Sequence, residues 1–225
     1  MPSDDVRVVL AVPTSWNWYF EPKRKGSIAW FAERALRIAD GFHPGRGVDV
    51  FLYGESKEPE ELTDSNYGDA GTEVIRTRLE RGSLPEWIGD WAVRPNMERG
   101  LFDDAGPASK VEERLGVGDA PWFGRPLPAV RAIGEWNAGH EGTTLVLFWL
   151  DRMTQAEEMA RFIGRYDDDA TFWQLFGDAD DIHYSFWTRQ GMHQGKVLPQ
   201  LNFHIGRRWS RRAILRGFSR WTKNG

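Results

Sequence analysis

Apolar positions along this 225-residue chain follow two rhythms. Short, nearly continuous runs rich in β-branched residues read as strands buried on both faces, and stripes recurring every three or four residues read as helices. The first run, VRVVLAV over Val6–Val12, ends abruptly in the polar, turn-prone group Pro13–Asn17. Ser27 can then cap a helix to about Asp40, with Ile28, Phe31, Ala32, Ala35, Leu36 and Ile38 on one stripe. Gly41 and the HPGRG run over His43–Gly47 stop it, and Val48–Tyr53 (VDVFLY) is a second buried strand ended by Gly54. Strand, helix and strand this close together form a βαβ unit with a right-handed crossover.

The middle of the chain is less regular. Glu73–Glu80 is read as a helix, after which Gly, Pro and charged residues interrupt the pattern. An irregular insertion at about 83–124 follows, within a single domain spanning 1–225; a segment of that length commonly serves as a lid or an interaction surface. Regularity resumes with a helix over Pro128–Asn137, whose proline suits a first turn. Thr143–Leu150 (TTLVLFWL) is the most hydrophobic strand and so belongs in the centre. A helix over Gln155–Arg165, strands at Ala170–Phe176 and Leu201–Ile205, and a basic helix at about Arg211–Thr222 complete the order. Strands alternating with helices define an α/β fold, doubly wound, with a mostly parallel sheet covered by helices on both faces. Ligand sites in such sheets lie at the carboxyl ends of the strands, which places the Pro13–Asn17 loop beside any site.

Composition narrows the chemistry. Cysteine is absent, which removes disulfides, thiolate nucleophiles and Cys-ligated metals. The start, MPSDDVRV, has no basic segment followed by an apolar core, and no apolar run reaches a membrane span, so a cytoplasmic location is expected. The formal net charge of −4 conceals a division, because Arg207–Gly225 holds seven basic residues and no acidic one. The body is acidic and the tail basic. Twelve tryptophans demand large packing surfaces and partners for their N–H groups.

Catalytic signatures are missing. No serine sits in G-x-S-x-G, and neither the P-loop pattern nor a G-x-G-x-x-G after a strand occurs. The five histidines, His43, His140, His183, His193 and His204, lack the spacing of a zinc site. The acidic groups Asp167–Asp169 and Asp178–Asp181 read as solvated loops, the second bordering a strand's carboxyl end.

The order of VRVVLAV with its polar loop, VDVFLYG, RPLPAVRAI, TTLVLFWLD and ATFWQLFG resembles that of a von Willebrand factor A domain. The likeness is to the A-type domains associated with bacterial tellurium-resistance (Ter) proteins, carried by Phe172–Gly177 (FWQLFG) and the tail SRRAILRGFSRWT. It covers about Val6–Tyr53 and Gly124–Thr222. The resemblance implies a metal-ion-dependent adhesion site built from Asp-x-Ser-x-Ser, a distant Thr and a later Asp. Here Ser15, Asn17 and Asp151 match as oxygen donors, while Pro13 and Gly124 stand where the first Asp and the Thr belong. The site is degenerate, able to hold at most a weak Mg²⁺, with no other cofactor and no obligate small-molecule ligand implied.

The expected function is therefore a non-enzymatic module that binds a protein partner in a bacterial stress-response or tellurium-resistance-like assembly. Its rim would comprise Trp16, Trp18, Trp122, Gly124, Arg125 and Asp178. Two alternatives accompany it. One is binding of nucleic acid or an anionic membrane through Arg207, Arg208, Arg211, Arg212, Arg216 and Arg220, interleaved with Trp209, Phe218 and Trp221. The other is an α/β hydrolase-type enzyme whose site goes unrecognised.

Overall fold

The computed structural model describes residues 5–13, 28–55, 72–91, 126–150, 163–164, 170–177, 192–193, 196–197, 201–205 and 211–224. Strand β1 (Val6–Pro13) is buried along its whole length, as its unbroken apolar run requires. Helix α1 (Ile28–Phe42) leads to β2 (Val48–Glu55), which lies parallel to β1 with Val9 opposite Asp49 and Pro13 opposite Tyr53. Ala32 and Ala35, both fully buried, let α1 approach the sheet closely, and Phe31, Leu36 and Ile38 fill the space around them.

β3 (Thr72–Leu79) corrects the helix expected at Glu73–Glu80. It runs antiparallel to β2, from Val48 opposite Leu79 to Glu55 opposite Thr72. Ile75 and Leu79 enter the core while Arg76 and Arg78 stay exposed, an alternation of period two. The backbone edge of β2 supplies the hydrogen bonds that override the helical leaning of the local sequence. A 3₁₀ turn (Arg81–Ser83) and helix α2 (Leu84–Trp91) follow, so the segment at 83–124 opens as regular structure. Trp87 and Ile88 anchor α2 in the core.

Helix α3 (Pro126–Ala138) precedes β4 (Thr143–Trp149), whose seven residues are all buried, in keeping with a central strand. β5 (Thr171–Gly177), a two-residue pair β6 (Met192–His193) and β7 (Lys196–Val197), β8 (Leu201–Ile205) and α4 (Arg211–Asn224) complete the described elements. The main sheet has six strands in the order β3-β2-β1-β4-β5-β8, parallel except for β3.

Successive residues of β1 point to opposite faces and into different cores. Val6, Val8, Leu10 and Val12 meet α1, α2 and α4; Val9 and Ala11 meet α3 and Ile163. On α4 an apolar stripe faces inside, with Ile214, Phe218 and Trp221 buried and Arg211, Arg212, Arg216 and Arg220 exposed. Its amphipathic pattern is thus spent on the sheet.

Gly142 closes the turn into β4 at φ +98°, and a Cβ there would lie 2.7 Å from the backbone oxygen of Asp5. That oxygen accepts the Thr143 N–H at 3.1 Å. Gly142→Ala combines backbone strain with a collision against main chain. It should lower unfolding free energy by about 1–3 kcal/mol in urea titration. An unchanged midpoint would show that the turn relaxes freely.

Candidate functional site

The strand order reverses between β1 and β4: the chain moves outward from β1 through β2, then returns to the far side of β1. In doubly wound sheets a crevice opens at that reversal, outside the carboxyl ends of the two strands. The register Ala11 opposite Phe148 sets Pro13 and Trp149 at the same end. β5 ends beside them, its Phe176 opposite Trp149. The last turn of α3 is tied to the start of β4 and β5 through Asn137, so the Pro126 end of that helix lies toward the same carboxyl edge.

Aromatic side chains fill the floor beneath this edge. Phe31 meets Trp149 at 4.5 Å between ring centroids, and Trp149 stacks on Phe176 at 6.2 Å. On the opposite sheet face Tyr53 stacks on Phe148 at 5.5 Å, and its hydroxyl donates to the Trp149 carbonyl at 2.5 Å. The Leu150 N–H donates to the Phe176 carbonyl at 2.8 Å, extending the β4–β5 ladder to the edge. Tyr53 was legible only as a strand residue; its role in closing the floor depends on Trp149, which is distant in sequence.

The residues expected to carry recognition follow directly from these element ends. Ser15, Trp16, Asn17 and Trp18 succeed Pro13; Asp151 succeeds Leu150; Asp178 succeeds Gly177; and Trp122, Gly124 and Arg125 precede Pro126. All lie outside the described residues, as do Arg207 and Arg208. Pro13 itself is described: it is buried at the end of β1, where the resemblance would place the first metal-binding carboxylate. Its ring offers no oxygen. Asp151 would bring the one carboxylate, beside the neutral oxygens of Ser15 and Asn17, and this donor set does not fit a firmly held divalent ion. Among the described residues no group of three or more His, Asp or Glu could hold a metal.

Among the described residues charged groups gather at the opposite, amino edge, in an arrangement the sequence did not indicate. The buried carboxylate of Asp49 accepts Arg76 Nη2 at 2.9 Å and Arg78 Nη1 at 2.5 Å. Arg7 and Arg76 lie over the Trp136 ring at 5.7 and 4.9 Å, and Arg7 also donates to the Glu141 carbonyl at 2.5 Å. Burial holds the Arg7 guanidinium below its ordinary pKa. A hydrogen bond from Arg46 holds the Asp5 carboxyl below its usual range, the slight burial there opposing. His43 Nε2 accepts the Val6 N–H at 3.3 Å, and His140 packs against Trp136 at 4.6 Å, so both histidines are engaged locally. These contacts close the sheet's amino end.

No family model matches the chain, and no curated protein matches it. Among solved structures it is similar to a von Willebrand factor type A protein from Catenulispora acidiphila, at 13% identity and a TM-score of 0.43. That likeness covers 98% of this chain and 42% of the other, so the chain spans less than half of that protein's length. The class of the fold, α/β with a doubly wound, mostly parallel sheet, rests on the strand order and register given above. No helix among the described residues is long and apolar enough to cross a membrane.

Proposed function

We propose that the protein is a non-catalytic interaction module of the von Willebrand factor A type that binds a protein partner at the carboxyl edge of its sheet. The observation that carries this reading is the reversal of strand order at β1 and β4 above a filled floor. A floor packed with aromatic rings, its buried hydroxyl already bonded, leaves recognition to side chains on the rim. Trp16, Trp18 and Trp122 would be its anchors, since tryptophan is enriched among residues that dominate binding energy. Gly124, Arg125 and Asp178 would flank them, with Ser15, Asn17 and Asp151 giving polar contacts in place of a working metal site. The FWQLFG block, which forms β5, supports a place in a tellurium-resistance-like assembly in the bacterial cytoplasm.

The basic tail is the weaker carrier. Phe218 and Trp221, which would have stacked on bases, are in the core, and the basic side chains of α4 remain outside without them.

Thermal shift with Mg²⁺, Mn²⁺ and Ca²⁺, beside an Asp151→Ala variant, tests the metal half of the reading. An ion at about 100 times its Kd would stabilise the fold by about 2.7 kcal/mol, an easily measured rise in Tm. The expected result is no rise in either protein. A rise lost on Asp151→Ala would restore a metal-dependent site. For the partner half, Trp16→Ala with Trp18→Ala should abolish a co-purifying protein that Arg216→Ala retains; the reverse pattern would transfer recognition to the tail.

A further inference from the structure

A highly charged concavity lies away from that rim. A cleft of about 410 Å³ is lined by Arg34, Arg37, Asp40, Gly41, Arg81 and Arg211, with Ile38 as its apolar wall. Arg81 follows β3, whose Leu79 pairs with Val48 at the start of β2, and Gly41 lies in the last turn of α1 just before β2. The cleft is therefore at the amino edge, opposite the crevice between β1 and β4.

Four guanidinium groups face one carboxylate here, and that carboxylate is already occupied. Asp40 Oδ2 pairs with Arg81 at 3.1 Å while Oδ1 accepts the Gly45 N–H at 3.2 Å. Arg37 pairs with Glu33 at 2.5 Å. Arg34 lies over the Trp30 ring at 4.1 Å, and burial, reinforced by the charge of Arg37, lowers its pKa. Arg211 has no acidic partner among the described residues and opens α4, where the positive end of the helix disfavours a cation. Gly41 is the detail that brings it in: a Cβ at that position would collide with Arg211 Nη2, so the missing side chain lets the guanidinium lie against α1.

Crowded like charges with a consumed counterion are stable only at a cost, and an anion entering the cleft removes that cost. Planar guanidinium forks match the oxygens of a phosphoryl group and bind them by charge-assisted hydrogen bonds. The volume falls in the range of small-molecule sites, roughly 300–1,000 Å³, and exceeds what a lone ion needs. We infer that this cleft binds the phosphoryl group of a small, soluble phosphorylated ligand, with Arg34, Arg37, Arg81 and Arg211 as its donors. It is independent of the partner-binding rim.

The test is calorimetric titration of the full chain with pyrophosphate and with inorganic phosphate, at constant ionic strength set by KCl. Pyrophosphate should bind one to one. Arg211→Gln should weaken it about tenfold or more, the scale of losing a hydrogen bond to a charged group. Gly41→Ala should weaken it similarly while leaving Tm unchanged or raised, since alanine favours a helix over glycine and only a flexible side chain must move. Arg216→Gln, elsewhere on α4, should bind as the parent does. No pyrophosphate binding beyond the KCl background, or equal weakening by Gly41→Ala and Arg216→Gln, would overturn the inference. Vesicles containing phosphatidic acid should capture the protein no better than phosphatidylcholine vesicles. Selective capture would assign the phosphoryl group to a lipid and overturn the soluble-ligand inference.

Discussion

Phe31→Ala should lower the stability of the protein by about 3–5 kcal/mol, the range for emptying a buried aromatic site. Phe31 is 1% exposed and bridges α1 to the carboxyl ends of β4 and β5. Its ring is 5.0 Å from Trp30, 4.5 Å from Trp149 and 6.4 Å from Phe176, measured between centroids. Two of those neighbours stand on central or near-central strands whose positions are fixed by hydrogen bonds on both sides. They cannot close over the vacancy, so the cavity contribution is retained as well as the transfer contribution. In a chain of this size each kcal/mol moves Tm by about 2–4 °C, giving an expected fall of roughly 10 °C. Phe31→Leu, which restores much of the volume, should recover most of it. Urea titration checks both variants; a loss under about 1 kcal/mol for Phe31→Ala would mean the floor of the carboxyl edge repacks without it.

The parts of this fold that the sequence makes plain are those where one local signal suffices. Val6–Pro13 and Thr143–Trp149 are buried on both faces, so no polar alternation competes with their apolar runs. Leu201–Ile205 is a strand over the expected residues, and the stripe of α4 points Ile214, Phe218 and Trp221 inward. β3 is different. Glu73, Arg76 and Arg78 belong to an edge strand with a wet face, and charged residues there are what keeps an edge from pairing with another chain. Those same residues are good helix formers, and only the backbone of β2, about twenty residues earlier in the chain, decides between the two states.

The carboxyl edge is legible for a similar reason: two strongly apolar central strands locate it, and their ends name its loops. The arginine cleft is not legible, because Arg34, Arg37, Arg81 and Arg211 come from α1, a 3₁₀ turn and α4 and make no local motif. Gly41 gives no signal either, since a glycine near a helix end reads as a stop. Only the approach of α4 reveals that its lack of a side chain admits Arg211.

Asn137→Ala should cost about 2–5 kcal/mol, through hydrogen bonding more than through volume. In the last turn of α3, Asn137 donates from Nδ2 to Thr171 Oγ1 at 2.6 Å and accepts at Oδ1 from Thr144 Oγ1 at 2.6 Å. The three residues are 4%, 5% and 0% exposed, so water is not at hand to replace a missing partner. Truncation leaves two hydroxyls without their bonds, each costing about 1–3 kcal/mol. The decisive comparison is the triple variant Asn137→Leu, Thr144→Val, Thr171→Val. Apolar replacement of every member leaves no orphan and should be markedly less harmful than Asn137→Ala, a non-additivity expected for groups in one network. If the triple variant is equally unstable, the packing of α3 and not its polar clamp holds the helix to the sheet. The clamp also has a directional consequence. It fixes one end of α3 at the starts of β4 and β5, and the helix then carries Pro126 to the carboxyl edge, so loosening it should weaken partner binding at that edge while leaving phosphoryl binding in the arginine cleft intact.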